Sequence, residues 1–283
     1  MQRSNVVGAA LLTTAALIGA VPGHAQATLG ADLDLFSSYV WRGLTLTNKP
    51  VAQPALYVTF PAGNSEVTAG GWANIELGQY DGADDISESG GVSSFDLAEF
   101  DPYAEVSFPV GKATLTGGIT GYIYPNDFGL TEDANTVELY GKVGLDVALS
   151  PEFSIYYDVD KIDGAYLEGG VSHSLAASEK VSIDLGALVG FNAGQDCDGD
   201  FSLDTCTNSF NFADNGFTHV DLSAGVPFTA GVFSITPVIH FQVNGDDATK
   251  FTGANDENDV KVWGGVSLSW STVLGEVPEE EAE

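Results

Sequence analysis

One block constrains the chain more than any other: "TVELYGKVGLDVA", residues 136–148. Its odd positions, Val137, Leu139, Gly141, Val143, Leu145 and Val147, are all uncharged. Its even positions, Thr136, Glu138, Tyr140, Lys142, Gly144 and Asp146, hold all the charge. Side chains that alternate with period two belong to a strand whose two faces meet different surroundings. The same alternation recurs to the end of the chain, with almost no helical patterning. It predicts twelve strands, at 31–42, 54–60, 65–77, 98–108, 112–124, 136–148, 153–162, 165–176, 180–192, 216–227, 232–244 and 260–271.

The connections fall into two alternating sets. Residues 61–64, 110–112, 150–152, 177–179 and 229–231 are tight turns, whereas 43–53, 78–97, 125–135, 193–215 and 245–259 are long and mostly acidic; the brief 163–165 belongs with the second set. One face of every strand is free of Asp, Glu, Lys and Arg, with His173 its one titratable group other than tyrosine. That face carries Leu33, Leu56, Ile119, Leu139, Val171, Leu222 and Ile239, among others. Phe60, Phe108, Phe153, Phe228 and Trp270 mark one end of it, and Trp41, Phe100, Phe191 and Phe241 the other. Even strand number, short turns on one side, long loops on the other and two aromatic girdles describe an all-β, closed antiparallel transmembrane β-barrel with both termini periplasmic. A soluble sandwich also hides one face of each strand, but rarely needs twelve so clean of charge.

The ends of the chain fit that setting. Arg3, the apolar run Val6–Val21 and "VPGHAQA" read as a signal peptide over 1–27, with cleavage after Ala25 or Ala27. The barrel then spans 28–272, and 273–283 form an acidic C-terminal tail. Such a chain belongs in the bacterial outer membrane, among its lipids. The 9 Lys+Arg stand against 40 Asp+Glu, a formal charge of −31, and removing Arg3 takes it to −31 − 1 = −32. Nucleic acid and anionic surfaces are poor partners for it, and small polar or cationic solutes better ones. The sequence also allows a homo-oligomer.

In this register Trp41 and Tyr39 face lipid at the outer girdle, and Arg42 faces the lumen. The stretch "SSYVWRGLTLTNKPVAQPALYVTF" resembles the opening of the TorF-like porins, which carry a Tyr-x-x-Arg-Gly hairpin near the mature N-terminus. Here those residues are Tyr39, Arg42 and Gly43, followed by Pro50, Val51 and Gln53. The resemblance covers about a tenth of the mature chain and implies an outer-membrane pore. Barrels of this type usually end on an aromatic residue, whereas this chain continues past Trp270.

The inward face bears thirteen acids, including the wall Glu99, Asp101, Glu105, Glu138, Asp146 and Asp158. Against them stand Arg42, Lys142 and Lys261, so 13 − 3 leaves a net of ten negative charges and an expected preference for cations. Closure brings the first and last strands together, which predicts a basic constriction from Arg42, Lys261, Trp263 and His240. The alternative is that Arg42 and Lys261 form lumen ion pairs with carboxylates. The functional expectation is a porin-like channel for passive diffusion of ions and small polar solutes. Its rival is a structural or adhesive barrel with a plugged lumen and cation-binding acidic loops.

Cys197 and Cys206 predict a disulfide in an exported chain. They bracket Asp198, Asp200 and Asp204, which together with Asp196 suggest either Ca2+ in the 193–215 loop or a solvated acidic loop; no cofactor is required. The chain has no Gly-x-Ser-x-Gly, and His173 lies at the wrong end for a lipid hydrolase, so no catalytic residues are assigned.

Overall fold

A computed structural model describes residues 26–126, 134–178, 181–196 and 212–274. Both cysteines, Asp198, Asp200, Asp204, the segment 1–25 and most of the acidic tail lie outside these residues.

Twelve strands form the wall: β1 (Thr28–Phe36), β4 (Val51–Ala62), β5 (Ser65–Glu76), β6 (Asp96–Val110), β7 (Ala113–Tyr122), β8 (Thr136–Leu145), β9 (Glu152–Asp158), β10 (Ala165–Ala176), β11 (Ser182–Ala193), β12 (Gly216–Gly225), β14 (Phe233–Asn244) and β17 (Val260–Val273); the short strands β13 (Phe228–Ala230), β15 (Phe251–Gly253) and β16 (Asp256–Glu257) belong to the connections. Each pairs antiparallel with its neighbours in chain order. The ring closes through β1 with β17, Asp32 opposite Ser269, while β12 pairs directly with β14, His219 opposite Asn244. Closure leaves no wall strand with an unpaired edge, which is the condition for a sheet to stand in hydrocarbon.

Parity follows the sequence. Leu56, Ile119, Leu139, Ile155, Leu222 and Ile239 are exposed on the outer surface, with Phe60, Phe108, Phe153 and Phe228 at the turn end and Phe100, Phe191 and Phe241 toward the loop end. The two-residue turn between β4 and β5 has Gly63 at φ 68°, and that between β6 and β7 has Gly111 at φ 64°. Positive φ at the first central residue matches the twist of a tight hairpin, and glycine adopts it without strain.

Two boundaries depart from expectation. β8 stops at Leu145, so Asp146 lies in the connection to β9, exposed, with its N–H donated to the Lys112 carbonyl. It stands at the turn-side rim of the barrel rather than among the buried acids of the lumen wall. The larger departure is at the first strand, which does not run to residue 42. β1 ends at Phe36, and the chain turns off the wall at Ser37, whose N–H donates to the Gly264 carbonyl at 3.0 Å. Ser38 Oγ then donates to the Thr47 carbonyl at 2.6 Å, closing the neck of a separate hairpin, β2 (Tyr39–Trp41) with β3 (Leu44–Thr47). Tyr39, Trp41, Leu44 and Leu46 are all buried. Tyr39 and Trp41 therefore do not face lipid; they enter the lumen, where other aromatic side chains await them.

The lumen consequently has two unlike halves. Toward the loops its lining is buried: Gln53, Trp72, Asn74, Glu99, Asp101, Tyr122, Glu138, Tyr156, Tyr166, His240 and Trp263. Toward the turns Thr59, Thr68, Ser107 and Thr116 stay partly exposed and pair as hydroxyl ladders, Thr59 with Thr68 at 2.9 Å and Ser107 with Thr116 at 2.8 Å.

Parity has a direct thermodynamic consequence. Leu139→Arg, on the outer face of β8, should cost about 2–4 kcal/mol in urea unfolding from lipid vesicles, whereas Thr116→Arg on the inner face of β7 should cost far less. Equal losses at the two positions would contradict the assignment of faces.

Candidate functional site: a hairpin bridging the lumen

The β2–β3 turn is Arg42–Gly43, with φ of 50° and 86°. Two consecutive positive φ values are the signature of the tight turn that matches strand twist. Gly43 is required twice over, because a Cβ there would also come within 2.6 Å of His219 Nδ1.

Arg42 and Gly43 reach opposite walls. The Gly43 carbonyl accepts from Lys261 Nζ on β17 at 3.0 Å and from Gln242 Nε2 on β14 at 2.9 Å. Arg42 Nη2 lies 2.8 Å from Glu138 Oε1 on β8, with side chains only 4% and 2% exposed. In the ring, β8 and β17 are six strands apart whichever way one counts, so the turn spans the bore from wall to wall.

Around the guanidinium the barrel supplies an aromatic cage. Its carbon lies 4.5 Å from the ring centre of Tyr156 on β9 and 4.7 Å from that of Tyr166 on β10, while Trp41 of the hairpin itself contributes a third ring at 4.3 Å. Tyr122 OH donates to the same Glu138 oxygen at 3.0 Å. Rings over a desolvated cation contribute about 2 kcal/mol or more. They do not remove the need for a counter-charge, which Glu138 provides. The flanks of the hairpin add to this: Tyr39 OH donates to Glu99 Oε2 at 3.0 Å, Tyr39 packs on Trp72 at 5.6 Å between ring centres, and Trp41 meets Tyr122 edge-on at 6.0 Å.

Of the residues expected at a basic constriction, all four lie in this region, but not as a basic seam. Arg42 crosses to the acidic wall, where it makes an ion pair, and Lys261 bonds a backbone carbonyl. Trp263 stacks on His240, ring centres 4.8 Å apart and 7° from parallel. His240 Nδ1 lies 2.8 Å from Asp221 Oδ2. That pair connects diagonal neighbours on β12 and β14, and the sequence reading missed it because the contact depends on register.

The acidic wall divides by partner. Glu105 accepts from Tyr140 OH at 2.7 Å, and Glu168, on the same face, from Tyr156 OH at 3.5 Å. Asp158 Oδ1 instead accepts the backbone N–H groups of Asp160, Lys161 and Ile162, which fixes the turn after β9. Asp101 is fully buried. Asp196 accepts from Asn215 Nδ2 at 2.7 Å; its companions in the suggested calcium loop are outside the described residues.

Above the hairpin the loops interlock. Thr47 Oγ1 is 2.5 Å from Tyr80 OH, and Thr45 Oγ1 donates to the Phe251 carbonyl at 2.7 Å. Asn255 N–H reaches Asp84 Oδ1 at 2.8 Å, joining the 77–95 loop to the 245–259 loop. Asp246 caps the short helix α1 (Asp247–Lys250) and also takes the N–H groups of Ala213 and Asp214 at 2.9 Å each. Burial holds its carboxyl above the usual range, although those N–H bonds act the other way.

A family described as bacterial proteins of unknown function, Gcw_chp, matches residues 20–204, more than half of the sequence. The chain belongs to that family. The matched span of this Gcw_chp protein includes the hairpin and all the cage residues of β7 to β10. No curated protein matches it. Among solved structures it is similar to an outer-membrane channel from Pseudomonas putida F1 (9% identity, 89% of this chain and 97% of that one, TM-score 0.46). It is also similar to outer-membrane phospholipase A from Escherichia coli (11%, 90% and 94%, 0.42) and to the autotransporter translocator domain of NalP from Neisseria meningitidis (10%, 93% and 94%, 0.41). The closed barrel with its apolar outer band, in a bacterial family, places the Gcw_chp chain in the outer membrane.

The Arg42–Glu138 pair yields a specific expectation. Glu138→Gln leaves a buried guanidinium without its counter-charge and should destabilise the folded protein by about 3–5 kcal/mol in detergent, read from the denaturant midpoint. Combining Arg42→Met with Glu138→Met should restore most of that loss. A double variant no better than the single one would show that the pair is not coupled.

Proposed function

We propose that this protein is a cation-preferring outer-membrane channel whose lumen is gated by the Tyr39–Thr47 hairpin. The observation that carries the reading is the contrast within the lumen. The turn half is wide enough to leave its hydroxyl-lined wall partly exposed, while the loop half is closed by a hairpin joined to the wall only through its neck, and held there by side-chain contacts. The resemblance of Tyr39, Arg42 and Gly43 to the TorF-like porins supports the same reading, as does the excess of inward carboxylates, which favours cations over anions. Passive diffusion of ions and small polar solutes then depends on displacement of the hairpin, and Arg42, Lys261, Trp263 and His240 line the level at which it closes.

The same hairpin favours a second reading. A barrel bridged from wall to wall suits a structural or adhesive protein that never conducts. Planar-bilayer recording separates the two. Replacing residues 39–47 with a short Gly-Ser linker should raise unit conductance at least about tenfold over the wild-type protein, with a reversal potential displaced toward that of the cation in a salt gradient. A barrel that folds and stays silent without its hairpin would establish the structural reading, and anion selectivity would overturn the cation preference.

A further inference from the structure

The cage around Arg42 is built by parts of the barrel that do not belong to the hairpin. Glu138, Tyr122, Tyr156 and Tyr166 stand on four successive wall strands, β7 to β10. Together they present a carboxylate and two ring faces toward the lumen, the donor set that recognises a flat organic cation. Arg42 fills this space from the other side of the bore, on a two-residue turn. It does not saturate it. Arg42 is 8% exposed, yet its Nη1 has no hydrogen-bond partner among the described residues. A buried guanidinium nitrogen without an acceptor is an imperfect occupant.

We propose that the wall formed by Glu138, Tyr122, Tyr156 and Tyr166 is a binding site for guanidinium-bearing solutes, which Arg42 occupies as a tethered surrogate in the closed lumen. The inference rests on the gated-channel reading and gives it a ligand class. A free guanidinium arriving from the turn half, where the lumen wall is partly exposed, competes with Arg42 for Glu138 and the two tyrosine faces. Its arrival removes the charge pairing that holds the hairpin tip across the bore. Opening is thereby coupled to the chemistry of the solute, as differential affinity for two states requires. Ammonium groups, which lack a flat face and a bidentate fork, fit the same place less well.

The test is chemical rescue in the full-length protein. Arg42→Ala vacates the cage, and methylguanidinium is the probe, with methylammonium as control. Binding is followed by tryptophan fluorescence in detergent and separately by unit conductance in bilayers. The vacated cage should bind methylguanidinium saturably with Kd of roughly 1 mM, at least about tenfold tighter than either the wild-type protein or methylammonium binding to the same variant. Adding Glu138→Gln to Arg42→Ala should abolish that binding. Should Arg42→Ala fail to fold, Arg42→Gln keeps a planar polar group in place and is tested in the same way. No saturable binding to a folded variant, or binding indifferent to Glu138→Gln, would overturn the proposal. A variant that conducts without binding methylguanidinium refutes the cage alone. One that binds it but never conducts supports the cage and refutes the channel.

Discussion

Hydrocarbon offers no hydrogen bonds, so every backbone N–H and C=O at membrane depth must find its partner within the protein. In this chain that constraint closes twelve strands into a ring, and closure fixes everything else. Once β1 pairs with β17 and β12 with β14, alternate side chains have no choice between lipid and lumen. Leu139 and Ile155 go out, and Glu138, Tyr156 and Glu168 go in. The carboxylates of the wall are thereby gathered inside a bore that few basic side chains enter.

The hairpin answers that electrostatic situation. A lumen lined by Glu99, Glu105, Glu138 and Glu168 needs donors, and tyrosine hydroxyls provide several of them, from Tyr39, Tyr122, Tyr140 and Tyr156. Arg42 adds a full positive charge beside the buried carboxylate of Glu138. Its long side chain lets a narrow turn reach the far wall while the backbone of Gly43 rests against the near one. A lysine could bring the charge but not the flat face that lies against Tyr156 and Tyr166. The odd mixture of tryptophan, arginine and glycine in "YVWRG" is thus a single device: a ring, a cation and a turn.

Much of the wall was legible in the sequence because parity is a local property. A strand with lipid on one side excludes charge from every second position, and that rule held through Leu33, Leu139, Val171 and Ile239 without knowledge of any partner. The hairpin was not legible by the same rule. Tyr39 and Trp41 obey the parity of β1, and alternation alone does not tell a ring buried in an aromatic lumen from a ring at the headgroups. The overlooked signal was "LTLT" at 44–47, which alternates as a strand does yet fell inside a segment read as loop. Beside it, Ser37 and Ser38 mark the departure from the wall, and Arg42–Gly43 the turn. The alternation at Asp146 runs one residue past the end of β8, where the ladder gives way to the turn. The Asp221–His240 contact required a diagonal register that no single strand reveals.

The bridge across the lumen requires Trp41 to lie inside the barrel. In single-tryptophan variants refolded into bilayers of brominated lipid, Trp270 on the outer face of β17 serves as the lipid-contacting reference and Trp72, inside the barrel, as the shielded one. Trp41 should be quenched no more than Trp72. Quenching of Trp41 to the level of Trp270 would place it against lipid, and the bridge across the lumen would have to be abandoned.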